Sequence, residues 1–128
     1  MKFMLTIRAD KNSEAGVPPD PKLLAAIGQL TEEMTKAGVL VDTGGLAPSS
    51  QLTRVRASGG KLTKVDGPFA ETKEMIAGYA VVQAKSKEEA IAMASRFMQL
   101  HADILGPSWE GESEVRQMFG PDDFRAGP

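Results

Sequence analysis

An α+β fold with an antiparallel sheet is predicted by three observations. Two segments carry apolar residues at helical spacing behind clear start signals, the segments around them alternate at a period of two, and glycine pairs and prolines punctuate the joins. At 128 residues the chain has the length of one domain and enough substance to bury a core. A single domain over residues 1 to 120 is expected, followed by a polar tail over 121 to 128.

Residues 2 to 8 read as the first strand, with Phe3, Leu5 and Ile7 on one face. The stretch from Asn12 to Pro19 holds Gly16, Pro18 and Pro19 and reads as a loop. A helix then starts at Asp20 as N-cap with Pro21 at its first position. Leu23, Ile27, Leu30 and Met34 follow at steps of four, three and four, which lines one face, and Gly38 ends the helix after Ala37. Residues 39 to 46 hold a short strand that ends in Gly44-Gly45. Residues 52 to 57 and 61 to 65 form the arms of a hairpin turned at Gly59-Gly60, a register that sets Arg54 opposite Val65 and Arg56 opposite Thr63. The longest apolar strand runs from Met75 to Ala84. Ser86-Lys87-Glu88-Glu89 reads as a capping box that opens the second helix. The buried stripe of that helix is either Ala90, Ala94 and Phe97 or Ile91, Ala94 and Met98. The last strand covers residues 113 to 119.

The order β-α-β-(hairpin)-β-α-β is the ferredoxin-like plan with an extra hairpin before the third strand. Two helices cover one face of such a sheet. The strand from Met75 is nevertheless apolar on both faces, with Met75, Ala77, Tyr79 and Val81 on one and Ile76, Ala80 and Val82 on the other. A sheet covered on one side alternates apolar with polar, so a second copy of the chain is expected over the other face.

Composition narrows the function. Fifteen Lys and Arg against 17 Asp and Glu leave a formal net charge of −2, and no basic stripe with interleaved aromatics marks a nucleic-acid surface. The absence of cysteine excludes disulfides, thiolate metal sites and a cysteine nucleophile, and one histidine excludes a multi-histidine metal site within one subunit. No metal or cofactor is expected. The apolar run at residues 3 to 7 is too short for a signal-peptide core, and no stretch approaches the length of a membrane span, so a cytoplasmic protein without membrane contact is expected.

The run Asp66-Gly67-Pro68-Phe69-Ala70-Glu71-Thr72-Lys73-Glu74 stands out. Gly67-Pro68 is a turn signal, and Pro68 has no backbone N–H. Asp66 therefore lacks the donor two positions on that an Asx-turn uses. Its carboxylate must bond further along, meet a side chain from another element, or face solvent. Phe69 reads as an apolar anchor, with Thr72 and Lys73 presented just before the long strand. Two readings stand side by side: a rigid loop whose aspartate caps backbone, or a cleft rim carrying Asp66, Thr72 and Lys73.

This run resembles the DGPF signature of the YCII-related family of small bacterial proteins. The similarity extends to Met1-Lys2-Phe3-Met4, the hairpin arm Thr53-Arg54-Val55-Arg56 and the closing Glu114-Val115-Arg116. It implies a homodimeric α+β barrel. First-described members of the wider family carry a histidine–aspartate pair with the histidine in the first half of the chain. Here the one histidine is His101, so that pair does not carry over. The resemblance also implies an association with extracytoplasmic-function sigma factors.

Two functions follow as expectations. One is a cofactor-independent enzyme acting on a small organic molecule, with Asp66 as acid or base and His101 as a second titratable group. The other is a non-catalytic ligand-binding or regulatory dimer. Arg54 and Arg56, on one hairpin face, either clamp an anion or form a solvated face. Phe69, Thr72, Lys73 and Tyr79 complete the candidate ligand-binding set, and the hydroxyl of Tyr79 needs a partner wherever it is buried. Trp109 reads as a loop anchor before the last strand.

Overall fold

The computed structural model describes residues 1 to 124, without the side chain of Thr72. Four strands form one antiparallel sheet: β1 (Lys2–Arg8), β2 (Leu40–Gly45), β5 (Ile76–Gln83) and β6 (Val115–Met118), in the order β2-β5-β1-β6. A separate hairpin joins β3 (Thr53–Ser58) to β4 (Lys61–Asp66) between the second and third strands of that sheet. The long helices are α2 (Pro21–Lys36) and α3 (Lys87–Leu105). This mixed α+β arrangement is consistent with the ferredoxin-like plan.

Both long helices begin and end for identifiable reasons. Asp20 Oδ1 accepts the amide of Lys22 at 2.8 Å, and Pro21 follows at the first helical position. At the other end Gly38 takes φ 73°, Gly38 N donates to Thr35 O at 3.0 Å and Val39 N to Met34 O at 3.0 Å. This pair of bonds is a Schellman ending, which satisfies carbonyls that the last turn would leave bare. Ser86 Oγ accepts from Glu89 N at 3.1 Å to start α3, and Gly106 at φ 86° ends it.

The core forms where one sheet face meets α3. β1 and β5 pair Phe3 with Val82 and Leu5 with Ala80, so these residues share a face. Phe3, Val82 and Ala84 pack there against Ala90 and Ala94 of α3. The two alanines let the helix backbone approach the sheet closely, and Val82 and Ala90 are fully buried. The stripe of α3 is therefore 90, 94, 97 and 101, while Ile91 lies exposed at 43%. An Arg96–Glu33 ion pair ties α3 to α2.

Three segments differ from the expectation. Residues 11 to 14 form a short helix, α1 (Lys11–Glu14), which overlaps the start of the stretch read as loop from Asn12. Asp10 Oδ1 accepts from Ser13 N at 2.8 Å while Asp10 N donates to Ser13 Oγ at 2.8 Å. A serine closes this capping box where Glu or Gln is usual, which hid the signal. The last strand is shorter than residues 113 to 119, although Glu112 O and Glu114 O still accept from Arg8 N and Thr6 N at 2.9 and 3.0 Å. Beyond it, Pro121–Phe124 forms a helical turn, α4, with Phe124 edge-on to Phe119. Residues 125 to 128 of the expected tail lie outside the described residues.

Candidate functional site

The spacing of the apolar residues on α2 builds one wall of a cleft. Leu23, Ile27, Leu30 and Met34 face a space of about 780 Å³ bounded by the sheet and by α3. Leu5, Ile7, Gly78 and Ala80 supply the sheet side, and Met93, Phe97, His101 and Leu105 supply the α3 side. Trp109 closes one end, and α1 with Pro18 and Pro19 forms the rim. Protein interiors leave few voids larger than a water molecule, whereas ligand pockets run to hundreds of Å³ and are mainly apolar. This cleft has the dimensions and lining of the second kind.

The charged groups at its edge are already engaged within the protein. Arg8 pairs with Glu112 at 2.9 Å, Asp10 holds Ser13, and Asp20 caps α2. That leaves His101 as the titratable side chain on the apolar wall. It is 5% exposed. Its Nδ1 lies 2.9 Å from Phe97 O one helical turn back, and a carbonyl only accepts, so Nδ1 carries the hydrogen. The ring stacks on Trp109 at 5.1 Å between centroids and meets Phe97 at 4.6 Å. Trp109 in turn covers Gly111, where a Cβ would stand 2.3 Å from the indole.

The residues expected to act together fall into two groups. His101 borders the cleft; Tyr79 lies on a strand along it with its side chain on the other sheet face, and Asp66, Arg54, Arg56, Phe69 and Lys73 do not line it. Tyr79 pairs with Gly44 across the ladder, and its ring lies over that glycine, where a Cβ would come within 3.2 Å. The phenol donates to Asp42 Oδ2 at 3.0 Å. That hydrogen bond, the repulsion between carboxylate and phenolate, and burial together raise Tyr79 above its ordinary 10.0.

The second group surrounds the hairpin base. Asp66 is exposed and accepts from Thr53 Oγ1 at 2.6 Å, so its carboxylate meets a side chain on the opposite strand. The Arg54 guanidinium stacks 3.7 Å from the Phe69 ring centroid, and Arg56 and Lys73 face solvent. The Thr72 side chain lies outside the described residues. The expected register, Arg54 opposite Val65 and Arg56 opposite Thr63, is observed.

Ser49 organises this second group and carried no signal in the sequence. It is 2% exposed. Its amide donates to Glu14 Oε1 at 3.0 Å, its hydroxyl donates to Glu14 Oε2, and the same hydroxyl accepts from Phe69 N at 3.1 Å. Gly67 N donates to Leu52 O at 2.8 Å beside it. A Cβ on Gly67 would stand 1.8 Å from Ser49 O, so the loop closes only with glycine at that position. Through Glu14 this knot reaches α1, the helix at the cleft rim.

Fold and cleft define an α+β domain with an apolar concavity between its sheet and its helices. The family model of the YCII-related domain matches residues 1–104, and the chain belongs to that family. An uncharacterised protein of Rhizobium meliloti (strain 1021) is 31% identical over 75 residues, which span 59% of this chain and 60% of that relative's length. Among the described residues no helix is long and apolar enough to cross a membrane.

Proposed function

We propose that this domain binds a small, mainly apolar organic molecule in the cleft between α2, α3 and the sheet, and does so without a cofactor. The observation that carries the reading is the apolar stripe of α2, which faces about 780 Å³ of space. Binding is favoured over catalysis because Nδ1 of His101 is held by a backbone carbonyl rather than by a carboxylate. Asp66, the other candidate acid or base, is exposed at the hairpin and paired with Thr53. A regulatory role beside an extracytoplasmic-function sigma factor is compatible with a ligand-responsive module of this kind.

The same proposal includes a homodimer. The sheet face opposite the helices bears Met4, Tyr79, Val81 and Met118, with Met118 36% exposed. A second copy laid on that face completes an α+β barrel and covers its apolar side chains. Light scattering should return about twice 13.7 kDa at micromolar concentration. A folded monomer there would remove this part of the proposal.

The cleft is tested with N-phenyl-1-naphthylamine, whose emission rises in apolar surroundings. Emission should rise with the native protein and fall back in Ile27→Trp, which fills the space from the α2 wall. Circular dichroism checks that the variant keeps its helices. Equal binding by a folded Ile27→Trp protein would place the probe elsewhere and defeat the reading.

A further inference from the structure

Among the described side chains that line the binding cleft just proposed, which include Asn12, Ser13, Thr31 and Ser108, His101 is the buried polar one. Nδ1 spends its hydrogen on Phe97 O at 2.9 Å, so the neutral ring presents Nε2 as a lone-pair acceptor. Among the described residues Ser113 Oγ is the sealed side-chain polar atom without a partner. Nε2 is not sealed in that way, and His101 lines the cleft. The stack on Trp109 and the contact with Phe97 fix the plane of the imidazole, so the lone pair has a defined direction. At the rim Arg8 pairs with Glu112, and Asp10 and Asp20 accept backbone amides.

We infer that the ligand is a planar or near-planar, mainly apolar molecule bearing a hydroxyl or enol, whose hydrogen is donated to Nε2 of His101. Apolar surface on α2 and the sheet supplies most of the affinity, and His101 supplies the choice among molecules of one shape. A ligand that only accepts, such as an ether or ketone, leaves Nε2 without a donor in a closed setting, and the site discriminates against it. His101 acts here as a recognition residue; no bond is made or broken. This inference rests on the cleft being the binding site.

The test compares 2-naphthol and 2-methoxynaphthalene by titration calorimetry on the full chain. The expected result is 2-naphthol binding about tenfold tighter than 2-methoxynaphthalene, the ratio that one buried hydrogen bond supports. The chain has one histidine, so the imidazole ¹⁵N spectrum gives an independent readout. The Nε2 resonance should move on adding 2-naphthol and stay in place with 2-methoxynaphthalene. His101→Phe, which keeps an aromatic ring against Trp109, should abolish the preference while retaining the ether. Equal binding of naphthol and ether by the native protein would overturn the inference and leave the cleft reading intact. If neither binds, both fall. Should His101→Phe not fold, the native affinity order and the Nε2 shift decide the matter without it.

Discussion

The hydroxyl of Ser49 donates to the carboxylate of Glu14, a residue thirty-five positions earlier, and accepts the amide of Phe69, twenty positions later. Three separate segments meet at one buried side chain. One belongs to the cleft rim, one to the entry of the hairpin, and one to the Asp66–Phe69 loop.

Ser49→Ala removes both bonds and leaves the Glu14 carboxylate and the Phe69 amide short of a partner. The expected cost is about 1–3 kcal/mol, read as a lower midpoint in urea unfolding at unchanged slope. A change below about 0.5 kcal/mol would mean that water replaces the hydroxyl without loss.

Two glycines should respond in opposite directions to the same substitution. Gly67→Ala pushes a methyl toward Ser49 O and should destabilise the protein by about 1–3 kcal/mol. Gly28 sits within α2, where an added Cβ meets nothing within 4 Å. Gly28→Ala should therefore stabilise by about 0.5–1 kcal/mol, since it relieves the entropic cost of glycine in a helix. Thermal melts of the two variants beside the native protein settle both signs.

Tyr79 is the one tyrosine of the chain, so phenolate absorbance near 295 nm reports it alone. Its midpoint should lie above 10.0 and drop in Asp42→Asn, which keeps an acceptor but loses the negative charge. The sign for stability follows. A group raised on folding contributes fully below its unfolded pKa and loses that contribution as pH climbs through the folded value, so the Tyr79–Asp42 contact weakens only above about pH 10. An unshifted midpoint in Asp42→Asn would show that the contact does not persist in solution.

Asp66→Asn keeps an acceptor for Thr53 Oγ1 at an exposed position. Stability should change by less than about 1 kcal/mol, and affinity for probes in the cleft should not change. A large loss of probe affinity would tie the hairpin carboxylate to ligand handling and revive the cleft-rim reading of the Asp66 loop.

Much of the fold was legible because its signals are local. Asp20-Pro21 and Gly38 bracket α2 within a few residues of sequence, and Gly59-Gly60 sets the hairpin register through a two-residue turn, with both glycines at positive φ. The α3 stripe was legible up to a choice that burial of Ala90 and His101 resolves. The site was less so. The α2 stripe reads as core because apolar spacing does not say whether a helix closes on its sheet or stands off it. Asp66, Phe69 and Lys73 attract notice by composition, yet what organises their loop is Ser49, whose partners lie far away in the chain and leave no periodic trace. The stacking of His101 on Trp109 depends equally on a loop closing back over α3.

The pinned base of the hairpin makes it a pendant. Leu52 O and Gly67 N close its neck, Ser49 anchors both sides, and beyond that neck Val55 and Leu62 are exposed at 62% and 75%. Strain introduced at the tip has to pass a hydrogen-bonded collar before it can reach α1 and the cleft. Gly59-Gly60 is accordingly a natural attachment point: an epitope, fluorophore or tethered domain spliced there should leave the cleft and the opposite sheet face untouched.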